Sequence, residues 1–107
     1  MYAVIFEVSI KAQAQARYLE IAQTLRAEVE QIEGFISIER FASLTNEGKL
    51  ISVSYWENEN AIDQWRAQSN HQSAQNEGRQ ELFSDYRICV AKIERDYGMH
   101  DRSQAHD

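Results

Sequence analysis

Apolar residues recur along the chain with two periods, and the switches between them lay out the elements. From Tyr2 to Ile10, the residues Val4, Phe6, Val8 and Ile10 fall on one side of an alternating pattern, with Tyr2, Ala3 and Ile5 mixed on the other. Period two is that of a strand. Tyr18, Ile21, Ala22, Leu25, Val29 and Ile32 then recur at steps of three and four, one stripe of a long amphipathic helix. Gly34 follows the last stripe residue, where a left-handed cap costs glycine least. Alternation returns in "FISIERFASL", "TNEGK" supplies turn residues, and "LISVSYW" alternates again, which predicts a hairpin. From Glu57 the period lengthens: Ala61, Ile62, Trp65 and Arg66 share a helical face. Ser69 or Asn70 is placed to cap a second helical piece running to about Gly78. A last strand is centred on "RICVAKIE", between Leu82 and Tyr97.

The order β-α-β-β-α-β predicts an α+β domain over residues 1–97. It is the ferredoxin-like arrangement, a four-stranded antiparallel sheet with its helices on one face. Residues 98–107, "GMHDRSQAHD", form a polar tail without periodicity, expected to be loose or held by a neighbouring chain. Several strands are apolar on both sides: Ile36 and Ile38 against Phe35 and Phe41, and Ile51, Val53 and Tyr55 against Leu50 and Trp56. Two helices cover one face of such a sheet, so the other is expected to pack on a second copy about a two-fold axis, a homodimer.

Composition narrows the class. A chain of 107 residues without proline suits one domain with no marked boundary. The net charge of −6 argues against nucleic acid, whose phosphates need a clustered basic surface. No apolar run approaches the roughly 20 residues of a membrane span, and "MYAVIFEVSI" has no basic leader, so it reads as a strand rather than a signal. The single Cys89, in the apolar run "YRICVAKI", reads as a buried thiol in a reducing compartment, the cytoplasm by default.

Strong catalytic signatures are missing: no phosphate loop, no nucleophile elbow, no Cys or His pair at metal-ligand spacing. Glu57, Glu59 and Asp63 suit a helix N-terminus, and His100 and His106 lie in the tail. Trp65 and His71 remain. Trp65 is either a core anchor on the sheet or an indole donor; His71 is either a surface cap or a proton-transfer group near a helix N-terminus. Six residues of unbroken helix turn through about 600°, setting the two side chains roughly 120° apart, so a break near Ser69 and Asn70 is needed for both to face one cavity.

Gly34, Phe35, Tyr55, Trp56, Glu57, Trp65 and His71, within "EGFISIERFASL", "GKLISVSYWENENAIDQW" and "HQSAQ", make the chain resemble the antibiotic biosynthesis monooxygenase domain family over residues 1 to about 97. The resemblance implies a dimeric α+β barrel with a pocket between sheet and helices. It implies oxidation of a small hydroxyaromatic, anthrone or quinol by molecular oxygen, with no metal or other cofactor. Trp65 would then be an oxyanion donor, His71 a proton shuttle, Tyr55 a second polar group, and Phe6, Phe35 and Phe83 apolar walls. The anthrone-oxidising branch has an asparagine four residues before its Trp; Ala61 stands there, beside Asn60. A haem-degrading branch of the same fold is disfavoured, because Phe6 stands near its first-strand asparagine and Gln75 at its haem ligand. The rival from another class is a non-catalytic dimeric barrel that binds a small apolar molecule, in a stress or regulatory role.

Overall fold

The structure, a computed structural model, describes residues 1–68 and 82–105. Its elements are β1 (Tyr2–Ile10), a 3-10 turn (Ala12–Ala14) leading into α1 (Gln15–Val29), β2 (Phe35–Ala42), β3 (Lys49–Trp56), α2 (Glu59–Ala67) and β4 (Phe83–Lys92). The strands make one four-stranded antiparallel sheet in the order β2-β3-β1-β4. This is the ferredoxin-like topology that the alternating periods predict. No helix among the described residues is long and apolar enough to cross a membrane.

Pairing in β1 sets the faces. Val4 lies opposite Ser54 and Val90, and Phe6 opposite Ser52 and Ile88. Partners in a ladder share a face, so these side chains all turn towards the helices. Tyr2 joins that side as well, packing on the Trp56 cluster with Val4; the expectation that it opposes Val4 is corrected. Phe35 is corrected likewise. A bulge between Phe35 and Ser37 brings Phe35 opposite Trp56 and Ile38 opposite Ser54, so one extra residue puts both side chains on the helix side. Ile36, the residue inserted there, is exposed.

The core divides into two clusters. One holds Val8, Ile10, Ala14, Tyr18, Ala22 and Leu82; the other holds Val29, Trp56, Ala61 and Ile62. Helix α1 supplies both, because its stripe runs the length of the sheet. It begins and ends earlier than the stripe suggests: Ile32 lies beyond it, in the turn to β2.

Gly34 is therefore not the helix cap. The Phe35 N–H donates to the Ile32 carbonyl (3.1 Å), and Gly34 inside that turn has φ 95°. Its own carbonyl accepts from the Glu57 N–H at 2.7 Å. A Cβ on Gly34 would stand 2.9 Å from the Ala61 Cβ. The site thus demands glycine for its dihedral angle and for the close approach of α2.

Among the described residues, no helix covers the outer face of the sheet. Phe41 and Tyr55 are 48% and 37% exposed, while Ile5, Ile51 and Val53 are half-buried. Cys89 is also half-buried rather than buried, because its edge strand turns it to this uncovered side, opposite Ile5. Glu7 holds two cations here, Lys49 Nζ at 3.2 Å and Arg87 Nε at 3.0 Å. The Lys49 hydrogen bond keeps the Glu7 carboxyl below the usual range; partial desolvation opposes this and Arg87 reinforces it. Residues 98–104 of the tail are exposed but turned on themselves: Gly98 N–H donates to the Asp101 carbonyl (2.8 Å), and Arg102 lies 5.3 Å from the Tyr97 ring centre.

Gly34→Ala is expected to cost more than about 1 kcal/mol, since alanine meets both an unfavourable positive φ and the Ala61 methyl. A urea-melt midpoint equal to that of the wild type would contradict this account of the turn.

Candidate functional site

Between the two core clusters lies a cavity of about 390 Å³. Its cause is visible on β3. The helix-facing positions of that strand read Leu50, Ser52, Ser54, Trp56, large at both ends and small in the middle. The large residues join the two clusters, and the two serines leave the space between them unfilled. Ile38 and Arg40 of β2, Val4 and Phe6 of β1, and Ile88 and Val90 of β4 complete the sheet side. Tyr18, Ile21, Ala22, Leu25, Arg26 and Val29 of α1 face them, with Ile62, Trp65 and Arg66 of α2.

One wall is aromatic. The Phe6 and Phe83 rings lie 5.8 Å apart between centres, and Tyr18 meets Phe83 edge-on at 5.8 Å. At the other end Trp56 is 2% exposed. Its indole N–H donates to Ser54 Oγ at 2.9 Å, and the Ser54 hydroxyl reaches the Val4 carbonyl at 3.4 Å. The Trp56 donor is thus spent within the fold, and this tryptophan is the structural anchor.

Trp65 occupies a different position. Asn58 caps α2, its side chain accepting from the Ala61 N–H at 2.9 Å. That start sets the helical phase, sending Ala61 and Ile62 into the core. Trp65, one turn on, packs half-buried against the same cluster and lines the cavity. The helix ends at Ala67 and Gln68 is extended, with ψ 133°, so no unbroken helix carries Trp65 on to position 71. His71 and Gln75 lie outside the described residues, as does the second helical piece expected near them.

Of the expected wall residues, Phe6 and Phe83 line the cavity. Phe35 does not; it packs behind Trp56, ring centres 5.2 Å apart and edge-on. Tyr55 does not either, since alternation in β3 turns it to the outer face between Ser54 and Trp56. Sequence reasoning gives no site role to Ser52 and Ser54, or to the arginines Arg26, Arg40 and Arg66, although Arg66 shares the helical face of Trp65. The signal was available in "LISVSYW", where small polar residues alternate with large apolar ones, and in "SIERFA", where Arg40 shares parity with Ile38. Among the described residues, no group of three or more His, Cys, Asp or Glu is placed to hold a metal.

The sequence profile described as antibiotic biosynthesis monooxygenase matches residues 1–77. The chain belongs to this family. Two relatives support the placement. The jasmonate monooxygenase ABM of Pyricularia oryzae is 38% identical over 93 residues, covering 87% of this chain but only 43% of its own length. This family member therefore spans less than half of that relative. The uncharacterized protein YqjZ of Bacillus subtilis is 35% identical over 94 residues, covering 88% of this chain and 80% of its own. In fold, the chain is similar to SnoaB, a cofactor-independent oxygenase from Streptomyces nogalater. The TM-score is 0.77 at 12% identity, over 89% of this chain and 94% of that one.

Ser54→Ala is expected to destabilise by about 1–3 kcal/mol, because it strands the buried Trp56 N–H. Adding Trp56→Phe removes the stranded donor, so the double variant should lose less than the sum of the singles. Strict additivity in chemical denaturation would show that the Ser54–Trp56 bond carries no such weight.

Proposed function

We propose that this protein is a cofactor-independent monooxygenase of a small hydroxyaromatic, anthrone or quinol. The observation that carries the reading is the cavity: about 390 Å³, walled by Phe6, Tyr18, Phe83 and aliphatic side chains, with Trp65 also in its lining. Its size falls within the usual range for small-molecule sites. Family membership and the likeness to a cofactor-independent oxygenase support it. The Pyricularia oryzae relative is named for jasmonate, which is not aromatic.

The chemistry asks little of the protein beyond placement. An anthrone-type substrate loses a proton to give an enolate, which passes one electron to oxygen and recombines with it. Loss of water then leaves a new carbonyl: one oxygen atom stays in the product and the other departs as water, and all four electrons come from the substrate. Trp65 is the donor towards the enolate oxygen, and His71 takes and returns the proton. Apolar walls keep water from the intermediate.

An oxygen electrode with dithranol, an anthrone, tests this reading. His71→Ala is expected to slow uptake about 10²–10⁴-fold, as for other general acid–base groups, while the melting temperature holds. Trp65→Phe keeps most of the ring and removes the N–H, so it should slow turnover about 10²-fold without unfolding the protein. Wild-type rates in both variants would sink the assignment. Dithranol binding without any oxygen uptake would favour the non-catalytic barrel.

The uncovered apolar sheet face supports a homodimer closed through it. Sedimentation at micromolar concentration is expected to give a dimer, and Val53→Asp, which sets a charge in that face, a monomer. A wild-type monomer would remove this assembly.

A further inference from the structure

The chain is acidic, with 17 Asp and Glu against 11 Lys and Arg, yet its cavity has the opposite character. Among the described residues that line it, the charged ones are Arg26, Arg40 and Arg66, and none is Asp or Glu. Arg26 is already engaged, its Nε 3.4 Å from Glu30 Oε1 on the same helix. Arg40 is the unusual member. It rises from the sheet floor opposite Ser52, and its Nε is buried with no hydrogen-bond partner among the described residues. Its neighbour Glu39 points to the other face by alternation, opposite Val53.

A buried cationic donor without a partner is costly in the empty protein. A ligand that brings an anionic acceptor removes that cost. We propose that the cavity takes an amphipathic monocarboxylate, an apolar ring body bearing one carboxylate, and that Arg40 is the residue that recognises the carboxylate. The proposal rests on the reading of the cavity as a substrate site and adds the chemical class that enters it.

Geometry favours a carboxylate over a lone phenolate oxygen. The guanidinium offers Nε and one Nη as two parallel donors, which two carboxylate oxygens match and a single oxygen does not. Most of the remaining lining is apolar (Phe6, Ile38, Phe83, Ile88 and Val90 among it), with Ser52 and Ser54 on the floor, so it takes the body of the ligand. Arg40 is half-buried and carries one charge, which matches a carboxylate better than a phosphate dianion. The exposed Arg66, on α2, adds positive potential beside the cavity.

Calorimetric titration at neutral pH with 1-naphthylacetate and its neutral isostere 1-naphthylacetamide tests the assignment. Wild type is expected to bind the acid at least about 10-fold more tightly than the amide. Arg40→Met, similar in length but uncharged, should weaken the acid about 10–100-fold and leave the amide nearly unaffected. Arg40→Lys, which keeps the charge but loses the fork, should fall between them. Because Arg40 Nε has no hydrogen-bond partner among the described residues, Arg40→Met should melt no lower than wild type, whereas a structural arginine would leave a less stable variant. Equal affinity for acid and amide, no measurable binding of the acid, or an Arg40→Met that binds the acid as wild type does would each overturn the proposal. Tighter binding of 1-naphthyl phosphate than of the acid would overturn the carboxylate assignment. No turnover is needed: acid binding through Arg40 without oxygen uptake on any substrate defeats the oxygenase reading alone. Oxidation of dithranol with no preference for the acid defeats this one alone.

Discussion

The register of β1 between β3 and β4 decides which side chains reach the interior. Val4, Phe6, Val8 and Ile10 share one face only while Phe6 stays opposite Ser52 and Ile88. A slip of one residue would send Ile5, Glu7 and Ser9 inward and turn the aromatic wall to the outside. That slip would bury the Glu7 carboxylate away from Lys49 and Arg87, which now hold it from both flanking strands. Hydrophobic burial on one side and the ion cluster on the other therefore select the same register. The cavity inherits its lining from that choice.

Element order and sheet layout were legible in the sequence because they rest on period, and period survives whatever the loops do. The exceptions lie where one residue breaks the count. Phe35 was set opposite Ile38 on strict alternation, and a bulge that no residue type announces put them together. Gly34 announced a left-handed backbone correctly, but the turn that needed it lay beyond the helix end, not at it.

The site was harder to read because its lining is made by what is small and what is charged. Searches for aromatic walls favour large residues, and Tyr55 is large; parity alone removes it. Ser52 and Ser54 look like ordinary strand filler until their neighbours Leu50 and Trp56 are seen to occupy the two core clusters. Arg40 sits in "ERF", where a surface reading is natural for an edge strand. Its meaning came from an unpaired buried nitrogen, which periodicity does not reveal.

The serine pair on β3 also bears on how this scaffold can change. A core normally approaches the density of an organic crystal, and here two positions hold that density down at the centre of the sheet. Larger apolar residues at 52 or 54 would gain contacts and lose room, so selection for robustness and selection for a guest pull in opposite directions at the same two codons. Paralogues under different demands would then diverge there first, each trading volume against rigidity by single steps, while the strand order around them stays untouched.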